Sequence, residues 1–238
     1  MKLDILAIAA HPDDVELSCS GTLLVHSSQG KKVGILDLTQ GELGTRGTPS
    51  IREKEAHHAA SLLDVAFRYN LKLRDGFFKN DEQHQLEVIK LIRKYQPEIV
   101  LANAITDRHP DHGRAAQLIS DSCFLAGLIK IETTDEGVMQ KPWRPKKVYH
   151  YIQDRWIKPQ LVVDITPFWN KKIESIRAFQ SQFYNPQTQE PQTYISTPEF
   201  LEFIEARAKE MGHLIGVKYG EGFTTQSYIG VGNLFHLI

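Results

Sequence analysis

A doubly wound α/β fold, with a mostly parallel sheet and helices on both faces, is predicted by three features of the sequence. Near-continuous apolar runs occupy residues 3–9, 32–38 and 98–103. Strands buried on both faces read this way, because neither side of the pleat meets water. Segments of helical spacing alternate with these runs through the first half of the chain, as βαβ units require. The length, 238 residues, suits one domain spanning residues 1–238 rather than two complete ones.

The elements follow in order. Residues 3–9 form the first strand. Residues 21–29 have helical spacing and stop at Gly30, a natural C-terminal signal. A second strand covers 32–38, and 39–50, rich in Gly, Thr and charge, is a loop. The helix over 51–63 has Ser50 ahead of it and Glu53 three residues on, the spacing of a capping box. A short strand at 67–71, a helix at 82–95, a strand at 98–103 and a helix at 112–128 complete the first half. With right-handed crossovers and the common Rossmann-like strand order 3-2-1-4-5, the first and fourth strands are neighbours. In the second half, 147–152 and 160–165 read as strands, and 167–181 and 198–213 as helices. The Pro-, Gln- and Thr-rich stretch 183–197 is a loop long enough to carry a function.

Composition narrows the partners. Net charge is −1 and no basic stripe interleaves with aromatics, so nucleic acid is not expected as a partner. No apolar run is long enough to cross a bilayer, and no membrane association is expected. The short apolar run after Lys2 leads into polar residues rather than a small-residue cleavage site. Cys19 and Cys123 fall in helical segments, which argues against a disulfide framework and for a cytoplasmic location.

Two clusters carry chemistry. His11-Pro12-Asp13-Asp14 follows the first strand, and His109-Pro110-Asp111-His112 lies just beyond the fourth. Ligands bind open α/β sheets outside the carboxyl ends of strands, where the strand order reverses. Either cluster alone reads as a polar turn; two converging on one crevice read as a site. His11, Asp14 and His112 make a zinc set with an open fourth position, one ion per chain, although another divalent metal could take its place. Asp13 can serve as general base. His109 is free to stabilise the tetrahedral intermediate or protonate the leaving amine, and Asp111 can orient His109. A nucleotide-binding turn does not fit, because carboxylates stand where glycines would cradle phosphate. His57 and His58 point in different directions from one helix and belong to a solvated face. Arg52 and Arg108 are candidates to bind substrate carboxylate. Tyr194, in the long loop, either donates to the oxyanion or packs.

At these motifs the sequence resembles the PIG-L/LmbE-like zinc deacetylases. The loop Gln40-Gly41-Glu42-Leu43-Gly44-Thr45-Arg46-Gly47-Thr48, Asn103-Ala104-Ile105, Asp107 to Ala116, Ser181-Gln182-Phe183-Tyr184, Ile195 to Leu201 and Leu214 to Tyr219 resemble the bacillithiol-biosynthesis branch. That resemblance implies deacetylation of N-acetylglucosaminyl malate, with zinc on His11, Asp14 and His112, Asp13 as base and Arg52 on the substrate; the alternative is a deacetylase of another N-acetylglucosamine-containing substrate, a chitooligosaccharide or a sugar-lipid head group. The resemblance also implies a homo-oligomer, a hexamer. The stretch Tyr219-Gly220-Glu221-Gly222-Phe223 is richer in glycine than that branch, a departure expected at the pocket rim.

Overall fold

The computed structural model describes residues 1–236. Along the chain run β1 (Ile5–Ala9), α1 (Asp14–Ser18), α2 (Ser20–Ser28), β2 (Val33–Thr39), α3 (Pro49–Leu63), β3 (Phe67–Leu73), α4 (Glu82–Tyr95), β4 (Ile99–Ala102) and α5 (Pro110–Leu125). A short hairpin, β5 (Thr134–Asp135) and β6 (Val138–Met139), precedes β7 (Lys147–Tyr151), β8 (Leu161–Asp164), α6 (Trp169–Arg177), α7 (Glu199–His213) and β9 (Gly220–Thr224). The main sheet has seven strands in the order β3-β2-β1-β4-β7-β9-β8. The five strands from β3 to β7 pair in parallel, and β9 is antiparallel to both its neighbours. The predicted adjacency of first and fourth strands is therefore present, with Ile5 opposite Ile99 and Ala7 opposite Leu101.

β1 and β2 are buried at every position, and their alternation sorts side chains between two layers. Leu6, Ile8 and Leu36 face one layer with Val88, Ile92 and Ile119 of α4 and α5. Ile5, Ala7, Ala9 and Ile35 face the other, with Val15 and Leu23 of α1 and α2. A third cluster joins α3, α6 and α7 through Ala59, Ile176, Phe200 and Ile204.

Two helix starts differ from the sequence reading for one reason. Thr48, not Ser50, caps α3: it is extended and its side chain accepts from the Ile51 amide, with Pro49 in the first turn. The Ser50–Glu53 capping box is thereby displaced. His109 likewise caps α5, with Pro110 in its first turn, two residues ahead of the expected start. Proline is preorganised for that position, where its missing N–H costs nothing.

The glycine-rich 219–223 stretch is not a pocket rim. It enters β9, a buried strand. A Cβ on Gly220 would stand 2.6 Å from Val162 and 2.9 Å from the Gly212 amide, and one on Gly222 would stand 2.7 Å from Met211 Sδ. The glycines let α7 lie directly on the strand. Between them, Glu221 accepts from the Gly21 and Thr22 amides and the Thr22 hydroxyl at the start of α2. Lys172 pairs with Glu221 at 2.8 Å and donates to the Glu16 and Leu17 carbonyls. Among the described residues, no helix is long and apolar enough to cross a membrane.

Candidate active site

The end of β1 delivers His11, and the turn after it places Asp13 at φ 105°, in the left-handed region, just ahead of Asp14 in α1. A non-glycine residue there is strained, and such strain concentrates at functional sites. Because β4 lies beside β1, the α5 start brings His109 and His112 against His11, with ring centroids 4.8 Å and 5.6 Å away. The two sequence motifs thus meet.

His and Asp donors crowd together here, as a possible metal site requires. Asp14 Oδ2 lies 3.6 Å from His11 Nδ1, and Oδ1 lies 3.1 Å from His112 Nε2. Asp14 thus offers one oxygen to each histidine and stands between them. The far ring nitrogens are backed by carboxylates. Asp75 holds His11 Nε2 at 3.0 Å and Asp107 holds His112 Nδ1 at 2.5 Å, the arrangement that fixes ligand tautomers. Asp14 is itself held by Asn103 Nδ2 and Gln153 Nε2, each at 3.0 Å.

Among the described residues, the donor groupings compact enough to hold an ion are His11 with His109 and His112, and His11 with Asp75 and Asp111, rather than the expected His11, Asp14 and His112. The hydrogen bonds of His109, Asp75 and Asp111 argue for supporting roles. The His109 Nδ1 accepts from the Asp111 amide, so in the neutral ring Nε2 carries the proton and can donate. Asp75 accepts from the Leu43 amide, while Asp111 accepts from the Gly76 amide and Arg114. Asp111 therefore does not orient His109 through its carboxylate, as the sequence suggested; that carboxylate stands 3.4 Å from His11 Nε2, because the α5 cap turns its backbone amide, not its side chain, to His109.

Electrostatics separate the carboxylates. Burial raises Asp13 to about 7, against the opposing charge of Arg52, a range suited to a base working near neutral pH. Burial, helped by His11 and His112, holds His109 below its ordinary value. For His112, burial pulls downward, but Asp14 and Asp107 carry it up to about 9.

Arg52 is placed differently from its expected role. It is buried, and its Nη2 donates to Asp13 Oδ2 at 3.0 Å and to the Pro12 carbonyl, while Nη1 donates to the Gly41 carbonyl. Its charge serves the candidate base first. Tyr194 donates to Asp154 Oδ1 at 2.9 Å rather than standing free for an oxyanion. Arg108 stacks over the Tyr194 ring at 4.3 Å, with its Nε 3.6 Å from Asp154. Both border the crevice, a cavity of about 460 Å³ reached by His11, Asp13, Asp14, His109 and His112. A larger hollow of about 1060 Å³, beside Trp169 and Leu201, contains none of these residues. Asp75, Asp107, Gln153 and Arg207 escaped the sequence reading as site residues; each is a single polar residue with no motif around it, although Asp107 stands in the quoted stretch before His109.

Residues 6–123 match the PIG-L family, described as GlcNAc-PI de-N-acetylase. The chain is similar to a conserved protein of Thermus thermophilus whose crystal structure is known, at 34% identity and TM-score 0.85, covering 97% of this chain and 98% of that one. It is similar to N,N'-diacetylchitobiose deacetylase from Pyrococcus horikoshii at 30% identity and TM-score 0.79, covering 92% and 82%. It is also similar to the probable N-acetyl-alpha-D-glucosaminyl L-malate deacetylase 2 of Bacillus anthracis, 24% identical over 219 residues, 84% of this chain and 91% of the relative. The matched segment carries both His/Asp motifs, the likeness to the solved structures runs the length of the sheet, and the chain belongs to the PIG-L family of metal-dependent de-N-acetylases.

Proposed function

We propose that this deacetylase hydrolyses the acetamide of N-acetylglucosaminyl malate, releasing acetate and glucosaminyl malate. The observation that carries the acidic aglycone is the lining of the crevice: Arg46, Arg108 and Arg207 border the cavity that ends at His11, Asp14 and His112, beside an Arg52 engaged by Asp13. The acetyl end is common to every N-acetyl sugar, so selectivity must come from the far end of the substrate, where guanidinium groups favour carboxylates.

A zinc ion, or another divalent ion, held by His11, Asp14 and His112 would supply Lewis-acid chemistry at the scissile carbonyl. Asp13, as carboxylate, takes a proton from the attacking water. His109, with its proton on Nε2, donates toward the carbonyl oxygen as negative charge builds there. The proton gathered on Asp13 can then pass to the leaving nitrogen, so that water and amide become acetate and a free amine. Asn103, Gln153, Asp75 and Asp107 keep the ligand side chains in register throughout.

A second reading, diacetylchitobiose as substrate, is favoured by the 30% identity to the Pyrococcus enzyme. Acetate release from the malyl conjugate, from diacetylchitobiose and from free N-acetylglucosamine, compared as kcat/KM, separates the two. The malate reading expects the conjugate to lead by about tenfold or more, since remote binding energy raises turnover as well as affinity. A lead for diacetylchitobiose replaces it with the second reading.

A further inference from the structure

Arg207 lies on α7, far from both motifs in sequence, yet it lines the catalytic crevice beside Asp154, Tyr194 and Ile204. Its Nη1 is fully buried and has no hydrogen-bond partner. Its neighbours do not explain it: the Phe203 ring lies 5.4 Å from Cζ. Burial lowers the guanidinium below the ordinary arginine range, with Asp154, Asp107, Tyr194 and Glu221 resisting through charge alone. The residue as a whole is half-buried, and a buried donor left unmade within it calls for an explanation.

A second orphan borders the same crevice. Arg46 is buried and gives Nη1 to the Phe183 carbonyl and Nε to Glu190, but its Nη2 has no partner. Two arginines with incompletely matched guanidinium groups on one cavity fit an anionic guest better than the neutral hydroxyls of a second sugar. Planar carboxylate matches the guanidinium fork.

We propose that Arg207 is a specificity-determining residue that receives a carboxylate of the substrate's aglycone. This rests on the malate reading above. Arg207 would act at the far end of the molecule, holding it while the acetamide lies over the histidines, and would take no part in bond cleavage.

The test compares the metal-loaded parent with Arg207→Met and Arg207→Lys, using N-acetylglucosaminyl malate and the uncharged methyl glycoside of N-acetylglucosamine. Preference is the ratio of the two kcat/KM values. Arg207→Met should cut that preference by about 10- to 100-fold, the scale of one charge-assisted hydrogen bond, and Arg207→Lys should keep part of it. Methionine removes a partly desolvated cation while filling similar space, so Tm should change little. Two results would overturn the proposal: a preference that survives in Arg207→Met, or equal losses on both substrates accompanied by a lowered Tm, which would mark a strut. If the parent itself shows no preference for the malyl conjugate, the malate reading fails and Arg207 loses its ligand with it. A preference present in the parent and intact in the variant refutes the Arg207 assignment alone.

Discussion

Replacing Arg52 with Met should move the acid limb of the pH–rate profile upward. The structure sets the scale. Arg52 Nη2 and Asp13 Oδ2 are 3.0 Å apart, with both side chains 6–7% exposed, so salt screens the pair little. At an effective dielectric of about 20, Coulomb's law gives about 5.5 kcal/mol, a ceiling of about four pH units. Water entering the vacated space and a nearby divalent ion both reduce that, and about one to two units is the expected shift. The sign follows from the role: Asp13 works as carboxylate, the lost cation makes it easier to protonate, and activity then fails sooner as pH falls. Arg52→Lys keeps the charge and should return the limb most of the way. Gly41→Ala offers a separate route, because its added Cβ would land on Arg52 Nη1. The assay is kcat/KM for acetate release between about pH 5 and 9, with metal content checked in each variant. An acid limb that stays put in Arg52→Met, with metal retained, would refute the pairing of Arg52 with the base.

Asp13→Asn should keep its metal and lose about 10²- to 10⁴-fold in kcat, the usual contribution of a general base; metal analysis beside turnover checks both halves. His112→Ala should lose metal binding and activity together, and full occupancy in that variant would remove His112 from the ligand set. Since His112 is carried up to about 9 without metal, metal uptake at pH 7–8 should release protons and tighten as pH rises; titration calorimetry in buffers of different ionisation enthalpy reads the count. Lys172→Met strands Glu221 as a buried, unpaired carboxylate, so denaturant unfolding should show about 3–5 kcal/mol lost, and the paired Lys172→Met/Glu221→Gln should recover part of it.

The centre of the sheet, β1, β2 and β4, was legible because burial on both faces writes itself as apolar runs, and both motifs were legible because histidine and aspartate crowd into four residues. The cap positions were missed because a proline read as a stiff turn is also a first-turn residue. β9 was missed because its glycines look like a loop, and only the α7 packed against it explains why no side chain fits. Arg52 could be recognised as important, but not that it faces Asp13: its direction depends on how the Gly41 loop folds over the crevice. Asp75 and Gln153 carry no local signal, since each becomes a site residue only through strands distant in sequence.

The placement of β9 also governs the order in which the molecule can be built. Glu221 anchors the amides of Gly21 and Thr22 across 200 and 199 residues, and its strand fills the gap between β7 and β8. During synthesis the β3 to β4 portion of the sheet can pair as it leaves the ribosome, but the slot beside β7 stays open until residue 224 has emerged. Until then β7 exposes an unpaired edge of the kind that recruits other chains, and Lys172 has no Glu221 to neutralise it. Contacts of such long range form slowly. Ribosome stalling or premature termination between β8 and β9 should therefore yield aggregation-prone chains that hold both His/Asp motifs and still lack a finished sheet.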